Sequence, residues 1–257
     1  MYGYIKFRKE VIGILYKEFV DIHSHVLPAV DDGALNMAQS LDTLRSMQSL
    51  GVTDVFLTPH YCKRRGHVTP TGKIRHTYSK LCTACEDEQI SIRLHLGTEM
   101  EYSQDGARYI REGRVFTMGD TNYILVEFPP YIKSQTILHA TREIVQMGLI
   151  PIIAHVERYE SLYSDFDVLY SLKEIGVMIQ INIRSMCVFN LKLRKFLKRI
   201  IKERLADFLA GDVHTVPLDE KEIAKCSKLV IKYSSEEYLD DLMSGNAKKT
   251  ILNKEIK

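Results

Sequence analysis

His23-Ser24-His25 opens a stretch, DIHSHVLPAVDDG at positions 21–33, that sets five ionisable side chains in thirteen residues behind an apolar start. On a strand, the period of two sends both imidazoles to one face, where they can grip one metal ion. The same geometry recurs in Asp212-Val213-His214. With Asp32, His60, Glu99, Glu127 and His155 the set comprises nine donors, five imidazoles and four carboxylates. Nine is too many for one ion. A mixed set of this kind suits manganese, iron or zinc, and a carboxylate such as Glu99 can bridge two ions that share a hydroxide. Clustered metals bring the pKa of bound water toward neutral and stabilise charge on a phosphoryl group, so phosphoester hydrolysis is the expected chemistry.

Such a set needs elements that end together in space. Seven β-rich runs are legible: Phe19 to His23, Asp54 to Thr58, Ile92 to Met100, Tyr123 to Phe128, Ile150 to His155, Val177 to Ile183 and Asp207 to Gly211. Between them lie helical stripes at three and four spacing, such as Met37, Leu41, Leu44 and Met47, or Ile137, Thr141, Ile144 and Val145, or Phe166, Leu169, Leu172 and Ile175. Each is stopped by a glycine (Gly51, Gly148, Gly176), which supplies a left-handed residue past a helix end at little cost. Repeated βα units give an open doubly wound sheet or a closed barrel, and the pattern alone does not separate them. The barrel is favoured because nearly every strand ends in His, Asp or Glu, and βα barrels gather reactive groups at the carboxyl ends of their strands.

The 257 residues, 45% hydrophobic and 26% charged, are ordinary globular values for one α/β domain over 1–257, with an N-terminal extension (1–18) and a helical C-terminal segment (216–257). A net charge of +2 argues against a dedicated nucleic-acid binder. The longest apolar run near the start, Val11 to Tyr16, is six residues, so a cytoplasmic protein without membrane insertion is expected. Five cysteines without repeated spacing suit a reducing compartment, and Cys82 and Cys85 sit in a helical pattern with Ile74, Tyr78 and Leu81 as packing residues.

The run DIHSHVLPAVDDG, TPH at 58–60, GTEMEY at 97–102, LVEFP at 125–129, IIAHVERY at 152–159 and AGDVH at 210–214 resemble the polymerase and histidinol phosphatase (PHP) superfamily. Within it the chain is most similar to the bacterial metal-dependent protein-tyrosine phosphatases encoded with capsular and exopolysaccharide genes. The resemblance implies a distorted (β/α)7 barrel of the PHP type with three metal ions, usually manganese, with iron or zinc as alternatives. It assigns His23, His25, Glu99 and Asp212 to one ion, Glu99 with Glu127 and His155 to a second, and Asp32, His60 and His214 to a third. It also implies a partner, the phosphotyrosine-bearing tail of a bacterial tyrosine kinase. Histidinol-phosphatase-like or nuclease activity, and a non-catalytic binding module, are the alternatives, and a homo-oligomer is left open. An amidohydrolase would want a metal-bridging lysine where Glu127 stands.

Arg158, three residues after His155, is placed to offer a bidentate fork to phosphate, a role the resemblance also assigns; pairing with Glu157 or Glu160 is the competing reading. Arg158, Asp212 and His214 are the candidate catalytic residues. Lys63, Arg64 and Arg65 follow His60 and would line the mouth, Arg64 and Arg65 as substrate binders. None of the five cysteines has an arginine six residues on, so a thiolate phosphate loop is excluded. His67, His76, His95 and His139 are read as lying outside the constellation, His95 as a barrel-interior or bottom-face residue. Leu191 to Leu205 is expected to form an amphipathic helix with a solvated basic face. Met1 to Lys17 is expected to be an additional helix or an oligomer contact, and Gly245-Asn246-Ala247-Lys248 replaces an expected asparagine-proline pair.

Overall fold

The computed structural model describes residues 18–254 and 256; the expected extra helix or oligomer contact at Met1 to Lys17 lies outside them. Nine parallel strands follow in order: β1 (Phe19–Ser24), β2 (Val52–Leu57), β3 (His60–Tyr61), β4 (Arg93–Leu96), β5 (Glu99–Glu101), β6 (Tyr123–Glu127), β7 (Ile150–Ile153), β8 (Met178–Asn182) and β9 (Phe208–Ala210). They form two sheets, β1-β2-β4 and β3-β5-β6-β7-β8-β9. β3 continues β2 and β5 continues β4 after short interruptions, and Gly97 N donating to Leu57 O (2.9 Å) and Glu99 N to Pro59 O (3.2 Å) run across the breaks. At the far end, His25 N donates to Val213 O (2.7 Å) and Asp212 N to His23 O (2.9 Å), tying the last strand position to the first.

The principal helices are α1 (Met37–Ser49), α2 (Thr71–Asp87), α3 (Ser134–Gln146), α4 (Asp167–Glu174), α5 (Leu191–Lys202), α6 (Glu220–Tyr233) and α7 (Asn246–Ile251). Helix ends follow the sequence signals. Asn36 caps α1 by accepting from Gln39 N (3.0 Å), Asp219 and Glu222 form a capping box on α6, and Gly51, Gly148 and Gly176 have φ of 85°, 80° and 83°.

Two apolar clusters divide the core. The larger packs helices against strands. The smaller gathers Val20, Ile22, Phe56, Tyr123, Leu125, Ile152, Ala154, Met178, Phe208 and Ala210 from six strands, as the filled interior of a barrel requires. Ala247 of α7 joins this inner cluster, and Asn246 Nδ2 donates to Asp207 O (2.9 Å), so the C-terminal helix is seated without the expected proline. Among the described residues no helix is long and apolar enough to cross a membrane.

Candidate metal centre

Strand ends bring the nine donors together. The parallel bonds between His23-Ser24-His25 and Asp212-Val213 set the two motifs side by side, and the imidazoles of His23 and His25 meet at Nε2 to Nε2, 3.2 Å. Asp212 Oδ1 lies 3.4 Å from His23 Nε2 and 3.5 Å from His25 Nε2. His60 opens β3 and pairs in register with Glu99, which opens β5, while Glu127 closes β6 opposite Glu101. His155 and Asp212 reach the cluster from left-handed backbone, with φ of 32° and 48°. Non-glycine residues held there cost on the order of 1–3 kcal/mol each, a strain typical of functional sites.

Glu99 is the centre. It is fully buried; its Oε1 meets His155 Nε2 at 2.8 Å, and its Oε2 lies 3.2 Å from His23, 3.2 Å from His25 and 2.9 Å from His60 Nδ1. Despite those neighbours Oε2 makes no hydrogen bond. A buried carboxylate oxygen facing three imidazoles without a hydrogen bond fits a divalent cation shared among them. Four donor groups are close enough to hold one: His23, His25 and Asp212; His23, Glu99 and His155; His60, Glu99 and Glu127; and His25, Asp32, His60 and His214. All nine expected donors are present. By proximity alone Glu127 stands with His60 and Glu99, His155 with His23 and Glu99, and His25 with Asp32, His60 and His214.

Electrostatics divide the cluster. Burial opposes charge on Glu99 and Asp212, but the imidazoles outweigh it and hold both well below the usual carboxylate range. Conversely, Glu99 and Asp212 raise His23, and Asp212, Asp31 and Glu99 raise His25 well above its ordinary value, both against burial. His155 is lowered by burial, with Arg158 opposing its charge, and His214 by burial and His25.

Residues around the donors were partly missed in the sequence. Asp31 Oδ2 lies 2.7 Å from His25 Nδ1 and accepts from His60 N (3.0 Å), and His25 overcomes burial to hold its carboxyl at about 2. This bond fixes His25 with Nε2 toward the cluster. Gln180 Oε1 accepts from His155 N (2.8 Å) and lies 3.2 Å from His23 Nδ1; its Nε2 donates to Asn182 Oδ1 (2.7 Å), and Asn182 Nδ2 to Asp212 Oδ2 (2.8 Å). The signal was Gln180-x-Asn182, polar residues at period two near the end of an apolar strand. Gly33 is required because a Cβ there would collide with the backbone of His25.

Arg158 Nη2 donates to Asp212 Oδ2 (2.5 Å), not to Glu157 or Glu160, and its side chain is half-exposed. Arg65 donates to Glu127 and lies 3.4 Å from His60 Nδ1, inside the site. Arg64 instead bonds Glu101 Oε1 (2.5 Å) and, with Lys63, Tyr61, Tyr102 and Tyr109, lines a neighbouring cavity of about 480 Å³. His67 belongs to none of the four donor groups but stands beside them, its Nε2 3.8 Å from Asp32 and its ring 5.5 Å from that of His60. His95 pairs with Asp54 (2.9 Å) and stacks on Phe56 of the inner cluster, while His76 and His139 are exposed. Cys82 and Cys85 are free thiols in α2, that of Cys85 pushed up to about 11 by burial.

A family model for capsular polysaccharide synthesis, CpsB/CapC, matches residues 19–252. The chain is 31% identical over 229 residues to the putative tyrosine-protein phosphatase CapC of Staphylococcus aureus, covering 86% of this chain and 88% of that one. It is 29% identical over 198 residues to the tyrosine-protein phosphatase YwqE of Bacillus subtilis, covering 77% and 78%. A solved structure from work on YwqE of Bacillus subtilis and CpsB of Streptococcus pneumoniae, described as unique metal-dependent tyrosine phosphatases, superposes with a TM-score of 0.81 at 27% identity, covering 93% of this chain and 96% of that one.

Proposed function

The chain belongs to the CpsB/CapC family of capsular polysaccharide synthesis proteins, and on that premise we propose that it is a metal-dependent phosphatase acting on phosphotyrosine of a bacterial tyrosine kinase that regulates capsular or exopolysaccharide synthesis. The observation that carries the metal-dependent chemistry is the convergence of nine donors on Glu99, whose buried Oε2 has three imidazoles around it and no hydrogen bond. Manganese, three ions in number, and a cytoplasmic setting complete the proposal. His23, His25, Asp32, His60, Glu99, Glu127, His155, Asp212 and His214 would hold the metal. Bound divalent ions would supply Lewis acidity, activating water as a nucleophile and offsetting charge on the phosphoryl oxygens.

The chain's own residues do the rest. Asp31 and Gln180 orient His25 and His23. Arg158, tethered to Asp212 on one nitrogen and half-exposed, keeps further N–H groups to meet phosphoryl oxygens, and Arg65 reaches the same site beside Glu127. A phenolate leaves with an unperturbed pKa of about 10, so no dedicated general acid is required.

The test is metal analysis of protein purified without chelator, together with steady-state rates on a phosphotyrosine peptide, histidinol phosphate and single-stranded DNA. Preference for either of the last two would overturn the tyrosine assignment. A folded His155→Ala protein with unchanged turnover would overturn the metal-dependent mechanism, and a metal-loaded parent that turns over none of the three substrates would favour a binding module.

A further inference from the structure

We propose that the adjoining faces of α5 and α6, with the apolar tip Val188-Phe189 ahead of them, form a docking face for an anionic membrane surface. The charge is segregated. α5 carries six cations (Lys192, Arg194, Lys195, Lys198, Arg199, Lys202) and no carboxylate, and α6 carries Lys221, Lys225, Lys228 and Lys232 against two glutamates, in a chain with 35 Lys and Arg against 33 Asp and Glu. These two helices therefore hold more than the whole net positive charge, and the remainder of the molecule is net acidic.

The core fixes which way the charge points. Phe196, Leu197, Ile200 and Ile201 are buried, so apart from Leu191 every fully exposed position of α5 is a cation. Only Arg199 of the six has a carboxylate partner among the described residues, Glu203 at 2.9 Å. The two helices are continuous in space: Lys225 Nζ donates to Cys187 O (2.8 Å), and Lys198 Nζ lies 5.2 Å from the Tyr233 ring.

A soluble acidic partner would explain the lysines alone. It would not explain why Phe189 (84% exposed), Leu191 (74%) and Val188 (51%) protrude at the same edge, with the Arg194 guanidinium 5.9 Å from the Phe189 ring. Protruding apolar side chains ringed by cations suit the headgroup region, where the apolar tip enters the interface and the cations meet anionic lipid. The tip lies in the segment after the carboxyl end of β8, at the same end of the fold as His155 and Asp212. Val216, 64% exposed, stands in the loop just after His214. Docking would thus turn the mouth of the site toward the bilayer.

This inference does not depend on the phosphatase assignment, since its readout is binding. The full chain is sedimented with vesicles of phosphatidylcholine alone or with about one third phosphatidylglycerol, at about 0.1 M salt. Binding at least about tenfold tighter to the anionic vesicles is expected, weakened about tenfold by Phe189→Ser with Leu191→Ser and again by Lys192→Glu with Lys195→Glu. Hydrolysis of a soluble phosphate ester should be unchanged in both variants, and circular dichroism confirms their folding. Equal partition to both vesicle types would overturn the proposal. So would binding that the serine variant retains and soluble polyglutamate displaces, because the face would then serve an acidic polypeptide.

Discussion

At the scale of single residues, the donors divide into those that would touch metal and those that aim them. Asp31 belongs to the second kind: its 2.7 Å contact with His25 Nδ1 leaves Nε2 to face Glu99 and Asp212. Asp31→Ala should therefore weaken metal affinity by about 10- to 100-fold without removing a ligand, measured by competition titration against a chelating dye. Asp31→Asn, whose amide oxygen still accepts a hydrogen bond, should restore part of the loss; equal damage by both variants would mean that the negative charge matters more than orientation. Arg158 poses a different question. Its Asp212 tether and half-exposed guanidinium predict that Arg158→Ala lowers kcat/KM on a phosphotyrosine peptide by about 10²-fold while metal content stays that of the parent. Arg158→Lys should recover little, because a point charge cannot reproduce the fork. Metal loss in Arg158→Ala would instead assign the residue to support of Asp212. Most of the nine donors could be found from the sequence because they fall at or just past the end of a run with strand character, whereas Asp32 sits in the loop after β1 and came from the DDG of the first motif. The task of Asp31 could not be found in this way, because it is defined only by the imidazole it meets, and Gln180 left no more than the faint signal of two polar residues at period two on an apolar strand.

At the scale of elements, most strands and the glycine-stopped helices were legible, since periodicity and caps are local. The reading failed where a strand is broken by tertiary contact. Ile92 to Met100 was expected as one run, but the chain leaves the ladder at Gly97 and Thr98, where a Cβ on Gly97 would lie 2.9 Å from Met118 Sδ. His60–Tyr61 is too short to have a period of its own. β2 and β4 are tied by Asp54, which takes Arg93 Nε (2.7 Å) and Nη2 (2.6 Å) and pairs with His95 (2.9 Å). Burial resists this charge, but His95 and Arg93 outweigh it and hold the carboxyl at about 2, below its ordinary 3.8. A depressed carboxylate stabilises the fold above its unfolded pKa and loses that contribution as pH falls through the folded one. The chain should thus exceed Asp54→Asn in stability by roughly 1–2 kcal/mol at neutral pH, discounted for the exposed Arg93, with the gap closing between about pH 4 and pH 2. Urea unfolding across that range checks it, and a gap independent of pH would reject the electrostatic cause. In the inner cluster Ile152→Ala should cost about 2–4 kcal/mol, because the strands around it cannot collapse into the space.

At the scale of the whole molecule, the site depends on the fold and the fold on the site. His23 and His214 are 191 positions apart in sequence, yet both belong to groups that also contain His25. Ions held there would cross-link the first strand, the last strand and the ends of β3, β5 and β6, all of which separate on unfolding. A ligand that binds only the folded chain stabilises it by RT ln(1 + [L]/Kd), about 2.7 kcal/mol at a hundred times Kd. For a chain of this size each kcal/mol moves Tm by about 2–4 °C, so manganese at that concentration should raise Tm by about 5–11 °C over chelator-treated protein. The comparison that isolates the cluster is Glu99→Gln. It keeps the shape but removes the charge that faces His23, His25, His60 and His155. Its Tm should respond to manganese by less than half the parent shift. An equal response in Glu99→Gln would place the stabilising metal elsewhere on the molecule, and no response in the parent would mean that the nine donors cohere without metal.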